Sequence, residues 1–530
     1  MAHRMNRRRF LQAAAGAALA AGPAGAVCCA AAPKRKDGLN VLFLMTDEQH
    51  YRSLSVTGNP YIQTPHMDRL AREGALFENA TCVTPYCSPS RASILTGVYP
   101  HTHGILQNVR RGYPVRKGID VAAGAAGQAP LKPDAFPNTE MTLYRRGYAT
   151  AHRGKWHLGD TGDFPCYESR GYAAKDDREY ARMLDERLPA AQFTEDYGPG
   201  DYYGRPVAKI AAIRQGWQKF KDSGAGVSYI ATIGRTVIPP ELLPETFITD
   251  EVAGLIEENA DRNFMITASW IPPHDLWVIP DPYYSMVDRR KIEIRGTTDL
   301  PPWDQKGPSK RLGDIMGPDG VREYAAVYHG MVRYIDDQVG RILKKLDDLG
   351  LAESTLVVFT SDHGDMAGAH GCIGKSIPGF YDDLVRIPLA MRLPGQIRPG
   401  TVVRQPVSQV DFMPTILDYA GAPVPEKIHG RSLRPLIEGR QAPWRDYAFC
   451  QRASATRMLR TERYKYVYGF GKAGIRALYD LQADPNEDRN LAGDAAHAAT
   501  LRQMHKRLAE VMAADGDPMA KALPQDAPVD

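Results

Sequence analysis

The chain has 530 residues, of which 43% are hydrophobic and 24% are charged, and these are the proportions of an ordinary globular protein. Its 66 Lys and Arg residues nearly balance its 62 Asp and Glu residues, so the formal net charge is only +4. This balance argues against a nucleic-acid partner. At roughly 150 residues per domain the length suggests about three domains, although large α/β enzymes often exceed that size in a single domain.

Residues 1–32 have the features of a signal peptide for twin-arginine export. A basic stretch at residues 6–12 precedes an Ala-rich run at residues 13–26, whose last three residues, Ala-Gly-Ala, fit a cleavage site. The run is too weakly apolar for a stable membrane anchor. Lipidation of Cys28 or Cys29 is an alternative, but neither cysteine follows the small residue that a lipoprotein cleavage site requires. We therefore predict that the bacterial twin-arginine translocase exports the protein to the periplasm or the medium.

The first predicted strand covers residues 39–45, a short and continuous apolar run. Such a run is typical of a parallel strand that is buried on both faces. Asp47 and Glu48 follow at its carboxyl end, which is the edge where open α/β sheets bind their ligands. A turn or helix-capping role is the ordinary alternative for an Asp at this position. We interpret Asp47 as a metal ligand and Glu48 as a further candidate.

A helix is predicted at residues 65–73 and a strand at residues 75–79. The next motif is Cys-x-Pro-x-Arg at residues 87–91, and it opens a helix-like run. Backbone N–H groups and the helix dipole favour an anion at a helix N-terminus, where Cys87 lies, and Arg91 adds a permanent positive charge. The motif therefore predicts a binding site for a sulfate or phosphate group.

A second group of polar residues follows a helix predicted at residues 139–147 and a strand predicted at residues 148–152. The strand leads into a Gly-Lys-Trp-His-Leu-Gly loop, in which Lys155 and His157 are close enough in sequence to turn toward one site. Alone, a solvated lysine and a packed histidine would be the ordinary interpretation. With Cys87 upstream, the loop favours a shared active site.

Other stretches carry less information. Residues 109–137 are rich in Gly, Ala and Pro and are predicted as a surface insertion, and one helix is predicted near residues 207–220. We expect loops within residues 110–240 and 275–320 to select the alcohol part of a substrate.

His274 follows a helix predicted at residues 244–259 and a strand predicted at residues 263–269. Two prolines immediately precede it and constrain its backbone. A long amphipathic helix, predicted at residues 322–349 from apolar residues at spacings of three and four, is interpreted as scaffold only.

A strand predicted at residues 355–360 leads to Asp362 and His363, and Lys375 follows in the next loop. An Asp at a strand end is a good ligand for a hard cation, whereas His is a less usual one. The remaining predicted elements are strands at residues 388–392, 448–451, 457–460, 464–468 and 478–481, and helices at residues 409–421 and 495–512.

In chain order, these motifs resemble the signatures of the type I sulfatases, the formylglycine-dependent family of the alkaline phosphatase superfamily. The matching stretches are Asp47, Thr64-Pro65, Gly-x-x-Phe at 74–77, Cys-x-Pro-x-Arg at 87–91, Tyr-Pro-His-Thr-His-Gly at 99–104, the loop at 154–159, Pro273-His274, and Asp362-His363 with Lys375. Glu48 departs from the family, which commonly has a second Asp or a Gln there. The resemblance covers residues 39–513 and is patchy between residues 110 and 240.

The resemblance implies the fold class. This is α/β, with a large mixed, mostly parallel sheet flanked by helices, as in alkaline phosphatase, and a smaller C-terminal antiparallel α+β subdomain. The implied domains are the signal peptide at residues 1–32, a catalytic domain at residues 38–440, and a C-terminal subdomain of four strands and one helix at residues 441–520.

The resemblance also implies the chemistry. A formylglycine-generating maturation enzyme would oxidise Cys87 to Cα-formylglycine, whose hydrate attacks the sulfur of a sulfate ester. A divalent cation, expected to be Ca²⁺, would be held by Asp47, Glu48, Cys87 in its converted form, Asp362 and His363. The other implied roles are that Arg91 and Lys155 stabilise the hydrate, Lys375 and His274 clamp the sulfate and help protonate the leaving oxygen, and His157 takes the proton that regenerates the aldehyde.

The expected activity is hydrolysis of a sulfate ester carried by a small molecule or a carbohydrate. A phosphonate or phosphate ester hydrolase of the same superfamily is the alternative, because both kinds of substrate are tetrahedral oxyanions and a fold does not fix its substrate. A non-catalytic exported binding protein is less consistent with four separate catalytic motifs.

Overall fold

The predicted strands assemble into a large central sheet with smaller sheets beside it. The computed structural model describes residues 38–109, 128–132, 134–159, 170–171, 174–188, 198–202, 205–209, 233–471 and 474–526. The strands are β1 Asn40–Asp47, β2 Ala75–Phe77, β3 Ala80–Thr81, β4 Ala149–Gly154, β5 Arg170–Gly171, β6 Gly198–Tyr202, β7 Arg205–Lys209, β8 Ile233–Thr236, β9 Phe264–Pro273, β10 Trp277–Ile279, β11 Thr355–Ser361, β12 Leu389–Arg392, β13 Thr401–Val403, β14 Val407–Ser408, β15 Ala448–Arg452, β16 Thr456–Arg460, β17 Tyr464–Gly469 and β18 Arg476–Asp480.

Helices cover both faces of the central sheet. They are α1 Pro65–Glu73, α2 Cys87–Thr96, α3 Pro100–His103, α4 Thr139–Arg145, α5 Ala174–Arg187, α6 Pro244–Glu258, α7 Pro302–Gln305, α8 Pro308–Asp348, α9 Asp382–Val385, α10 Phe412–Tyr419, α11 Arg434–Ile437 and α12 Ala498–Ala514. Within the described ranges, no helix is both long enough and apolar enough to cross a lipid bilayer.

The central sheet is mixed and mostly parallel, as predicted. Its strand order is β13-β2-β12-β11-β1-β9-β4-β5. The strand β1 pairs in parallel with both β11 and β9, and β9 pairs in parallel with β4. Only β12 runs antiparallel to its neighbours β11 and β2 among the strands described in this sheet. The carboxyl ends of β1, β4, β9 and β11 therefore lie at one edge.

The apolar sequence of β1 explains its central position. Phe43 and Met45 point into a core that also contains side chains from α2 and α10. Leu42 and Leu44 point into the opposite core, which contains side chains from α1, α6 and α8. Successive side chains of a strand alternate between its faces, so a strand with a core on each side must be apolar throughout.

Two predicted helices differ from the structure. The helix predicted at residues 322–349 is the second part of α8, and α8 begins earlier than predicted. Gly317, which has a non-helical φ of 69° and directly precedes Pro318, separates its two helical parts. The helix predicted near residues 207–220 is wrong at its start, where β7 is a strand, and the rest of it lies outside the described residues. Most of the predicted insertion at residues 109–137 also lies outside them.

The C-terminal part contains the predicted small antiparallel sheet. Its strand order is β15-β16-β17-β18, and α12 is the predicted closing helix. Arg460 and Lys465 of this sheet pair with the buried Asp382 of α9, at 2.9 and 2.6 Å. The predicted domain boundaries stay predictions.

Two glycines give a test of this packing. A Cβ added to Gly74 would lie 2.1 Å from the carbonyl oxygen of Met391 in β12, whereas a Cβ added to Gly254, inside α6, has no atom within 4 Å. We expect Gly74→Ala to lower the free energy of unfolding by about 3 kcal/mol through overpacking. Gly254→Ala should raise it by about 0.5–1 kcal/mol, because alanine restricts the unfolded chain and favours the helix. Urea unfolding measures both, and equal midpoints for the two variants would contradict the packing described.

Candidate active site

All ten predicted site residues meet at the carboxyl edge of the central sheet. Asp47 is the last residue of β1, Cys87 is the first residue of α2, and the others follow β1, β4, β9 and β11 or lie on α2 and in the loop after β11. The set comprises Asp47, Glu48, Cys87, Arg91, Lys155, His157, His274, Asp362, His363 and Lys375. His274 and Lys375 keep 14% and 17% of their side chains exposed, and His157 is also partly exposed, whereas the other seven are buried.

Positive groups surround the sulfur of Cys87. Its Sγ lies 3.2 Å from Nζ of Lys375, 3.6 Å from Nζ of Lys155 and 3.4 Å from Nε2 of His363. Burial raises the pKa of the thiol, but the two lysines and His363 outweigh burial and hold the pKa of Cys87 well below its usual value. The side chain of Cys87, at the start of α2, therefore lies where the surrounding groups stabilise negative charge.

Arg91 lies beneath this cluster and joins two strands. Its Nε donates to Oδ2 of Asp362 at 2.8 Å, and its Nη2 lies 3.2 Å from Oδ2 of Asp47. Its Nη1 donates to the carbonyl of Lys155 and to Oγ of Ser269, at 2.7 and 2.8 Å. The sequence predicted a positive charge beside a bound anion. The structure shows that this guanidinium is a bridge between the two strand-end carboxylates.

The two carboxylates differ in their electrostatic surroundings. Burial and Cys87 raise the pKa of Asp47, but Lys155, His274 and Arg91 together lower it below its usual value. Burial and the neighbouring Asp47 raise the pKa of Asp362, and Arg91 only partly offsets them. Asp47 is therefore the carboxylate that stays ionised most readily.

Four residues of this cluster could hold a cation together. Ligand atoms of Asp47, Glu48, Cys87 and His363 all lie within 4.8 Å of one another, and all four residues are buried. The Nδ1 of His363 is 2.9 Å from the carbonyl oxygen of Gly364, so it carries a proton, and Nε2, which faces Cys87, is the nitrogen that would bind a cation once it is deprotonated. The donor set of two carboxylates, one imidazole and the side chain of residue 87 fits a divalent cation.

Asp362 is adjacent to this group but has other partners as well. Its Oδ1 accepts the backbone N–H groups of Glu48 and His363, at 3.2 and 2.9 Å. These bonds hold the backbone of Glu48, which has an uncommon positive φ of 67°. His157 has a positive φ of 61° as well, and its carbonyl oxygen accepts a hydrogen bond from Oγ of Ser88 at 2.6 Å.

The two catalytic histidine candidates have opposite protonation preferences. Burial lowers the pKa of His274, but Asp275 and Glu48, at 2.7 and 3.1 Å, raise it well above its usual value. Burial lowers the pKa of His157, and its hydrogen bond with Cys87 only partly offsets this. At neutral pH, His274 is therefore a proton donor and His157 a proton acceptor.

Several residues that support the site were missed from the sequence. Tyr328 of α8 donates to the carbonyl of Glu48 at 2.7 Å, and Tyr324 of the same helix donates to Asp365. The helix was interpreted as scaffold only. The signal was present, because a tyrosine on a buried stripe needs a partner for its hydroxyl group.

A second missed pair lies on the other side of the Lys155 loop. The Nε2 of His152 is 3.1 Å from the carbonyl oxygen of Lys155, the same oxygen that accepts from Arg91. The Nδ1 of His152 lies 3.7 Å from Glu140, and both side chains are buried. His152 and Glu140 thus help to fix the loop that carries Lys155.

The Tyr-Pro-His-Thr-His-Gly turn at residues 99–104 is structural. His103 contacts Oγ of Ser93 in α2 at 3.0 Å. His101 contacts Gln451 of β15 at 2.7 Å and the carbonyl oxygen of Asp515 at 3.0 Å. The turn therefore joins the helix that begins with Cys87 to the C-terminal sheet and helix.

Two family models together match residues 39–514 of the chain. The model named Sulfatase matches residues 39–422, and the model for the C-terminal region of N-sulphoglucosamine sulphohydrolase matches residues 368–514.

Known proteins match over most of their own length. An N-acetylglucosamine-6-O-sulfatase from Bacteroides thetaiotaomicron is 27% identical, and the match covers 91% of this chain and 88% of the relative. An arylsulfatase from Clostridium perfringens is also 27% identical, with 92% of this chain and 98% of the relative covered. Among solved structures, a phosphonate monoester hydrolase from Silicibacter pomeroyi superposes with a TM-score of 0.70 at 26% identity, covering 91% of this chain and 96% of the other.

The bridging position of Arg91 predicts a stability effect. Arg91→Ala would leave Asp47 and Asp362 buried without their shared partner, and we expect the free energy of unfolding to fall by about 3–5 kcal/mol. Arg91→Lys keeps the positive charge but loses the paired N–H groups of the guanidinium, so its free energy of unfolding should lie between those of the wild type and Arg91→Ala. The control is Arg341→Ala, whose surface pair with Asp250 should cost less than about 1 kcal/mol. Denaturant unfolding of metal-free protein measures all three, and a wild-type midpoint for Arg91→Ala would contradict the bridge.

Proposed function

The chain belongs to the sulfatase family and is a sulfuric ester hydrolase, and we propose that residue 87, converted to Cα-formylglycine, is its nucleophile. One observation carries this proposal. The side chain of Cys87 is at the start of α2 with two lysines, two histidines and the strand-end carboxylate of Asp47 around it. We infer that the oxygens of a formylglycine hydrate would take the place of this sulfur.

A formylglycine hydrate would supply two hydroxyl groups on one carbon, one to attack sulfur and displace the alcohol, the other to release sulfate as the aldehyde forms again. A thiol is a poorer nucleophile here because its sulfate adduct would be hard to discharge. The proposal also requires a formylglycine-generating maturation enzyme as a partner.

The surrounding side chains have distinct proposed tasks. Lys155 contacts both Cys87 and Asp47. We assign to Lys155 and Arg91 the stabilisation of the nucleophile and of the acidic side of the site, which is the side that contains Asp47 and Asp362. Lys375 and the protonated His274 flank Glu48 at the more exposed side, where they would clamp the sulfate and donate a proton to the leaving oxygen. The neutral His157 would accept the proton when the aldehyde forms again.

A divalent cation fits the acidic side of the site. Asp47, Glu48, the converted residue 87, Asp362 and His363 are the proposed ligands, and the predominance of oxygen donors favours Ca²⁺. When bound, the cation would supply positive charge that binds the sulfate and acidifies the attacking hydroxyl.

The proposed substrate is a sulfated carbohydrate or small molecule. The names of the relatives, an N-acetylglucosamine-6-O-sulfatase and an arylsulfatase, support this class. Hydrolysis of a phosphonate or phosphate ester is the alternative, supported by the phosphonate monoester hydrolase of similar fold. Both alternatives use a tetrahedral oxyanion, so the site alone does not separate them.

Export and domain organisation also remain proposals. We propose twin-arginine export of a folded protein through the signal at residues 1–32, which lie outside the described residues, and a periplasmic or secreted location. We likewise propose a catalytic domain at residues 38–440 and a C-terminal subdomain at residues 441–520.

A substrate panel separates the two activities. We expect kcat/KM for at least one aryl, choline or sugar sulfate to exceed that for a phosphonate monoester and a phosphate diester by about tenfold or more, a difference of about 1.4 kcal/mol. A higher value for the phosphonate would select the alternative.

Lys375→Ala should lower kcat/KM for the best sulfate by about 10²–10³, because it removes a charge that clamps the transferring group. The exposed Lys344→Ala is the matched control and should leave the rate unchanged.

Thermal unfolding tests the cation site. After chelation, Ca²⁺ at 100 times its Kd should stabilise the wild-type protein by about 2.7 kcal/mol. Asp47→Asn should abolish that increase, whereas Asp348→Asn, which changes an exposed carboxylate at the end of α8, should retain it. The same increase in Asp47→Asn as in the wild type would place the cation elsewhere.

A further inference from the structure

A second cavity lies apart from the Cys87 cluster. Its volume is about 570 Å³, which is within the usual range of small-molecule sites. Its walls include His50, Arg52, Tyr61, Arg295 and Arg386, and none of the ten site residues lines it. It is therefore not part of the proposed catalytic site.

Two arginines of this cavity have no acidic partner. Arg52 donates to the side-chain oxygen of Asn486 at 3.0 Å and to the carbonyl oxygen of Pro485. Arg386 donates to the carbonyl oxygen of Glu78 at 2.6 Å, and its guanidinium lies 3.8 Å over the ring of Tyr51. Ion pairs within 4 Å are present for many arginines of the described chain, but neither Arg52 nor Arg386 forms one there.

The other charges of the cavity are already compensated or lie at its rim. Arg295 pairs with Asp383 at 2.8 Å, and Asp383 also faces Nδ1 of His50 at 3.3 Å. Glu78 lies 3.4 Å from Arg404, and Glu293 is exposed. The positive charges of Arg52 and Arg386 therefore remain available to a ligand.

The charges around Arg386 also indicate that its guanidinium is not neutralised. Burial lowers its pKa below the usual value, and Asp382, which also pairs with Arg460 and Lys465, offsets burial only in part. Arg460 and Arg52 lower the pKa of Arg386 further, which indicates a surplus of positive charge around this wall.

We propose that this cavity is a second binding site for a small organic oxyanion, in which Arg52 and Arg386 hold a sulfate, phosphate or carboxylate group. Paired N–H groups of arginine match the geometry of such anions. The cavity is much larger than an inorganic sulfate, and Tyr61 and Ile292 offer apolar surface for the rest of the ligand. A saccharide that carries an acidic group fits both requirements.

The cavity is connected to the catalytic cluster by a short path. The backbone N–H of His50 donates to the hydroxyl of Tyr328 at 3.0 Å, and that hydroxyl donates to the carbonyl of Glu48 at 2.7 Å. A ligand in contact with His50 would therefore adjoin the chain segment that carries Glu48. The site itself does not depend on the proposed activity, because binding can be measured without turnover.

Isothermal titration with a sugar sulfonate, 6-deoxy-6-sulfoglucose, tests the site, because its carbon–sulfur bond offers no ester to hydrolyse. In the full-length protein we expect two binding events. Arg52→Gln and Arg386→Gln should each weaken one event by at least tenfold, and Lys375→Ala should weaken the other. Arg290→Gln, at an arginine with 90% of its side chain exposed, should change neither. Two arginine variants that both bind as the wild type does would overturn the proposal.

Two further experiments identify the ligand and test the site without relying on variants that could misfold. Inorganic sulfate that binds as tightly as the sulfonate would make the free ion the ligand, whereas weaker sulfate binding would make it the sugar anion. Glucose that binds as tightly as the sulfonate would refute an oxyanion site.

Crystals of the wild-type protein soaked in selenate need no variant to fold. An anomalous peak within hydrogen-bonding reach of Arg52 and Arg386 is expected, and a peak at Cys87 alone would refute the site.

Discussion

The buried bridge from Asp47 through Arg91 to Asp362 is the interaction on which the rest of the site depends. Adjacent parallel strands bring the two carboxylates to the same edge of the sheet, where burial and mutual repulsion oppose their ionisation. Arg91 reaches both from the second turn of α2. The same contacts therefore fix where α2 begins relative to the sheet, and with it the position of Cys87.

The bridge also explains how acids and bases are divided across the site. Arg91 pairs with Asp47 and Asp362 at the strand ends, while Lys375 and His274 flank Glu48 on the side nearer to solvent. His274 holds a proton because Asp275 and Glu48 flank it, and His157 lacks one because burial outweighs its hydrogen bond with Cys87. One compact cluster thus contains a proton donor and a proton acceptor at the same pH.

Much of this arrangement could be predicted from the sequence. The buried strand β1 and the placement of acids after β1 and β11 follow from general rules for parallel sheets. The other site residues were predicted from their positions in the family's motifs. The direction of the Arg91 guanidinium could not be predicted, because it depends on a contact between residues 271 positions apart. The break at Gly317 and the hydroxyl contacts of Tyr324 and Tyr328 depend likewise on tertiary packing.

The central claim is that activity depends on a converted residue 87. The most direct measurement compares preparations in which conversion differs, by quantifying the aldehyde in the peptide that contains residue 87 by mass spectrometry and measuring specific sulfatase activity on the same samples. The account predicts that activity rises in proportion to the aldehyde fraction and is absent in Cys87→Ala. Full activity in a preparation that contains only unmodified cysteine would contradict it.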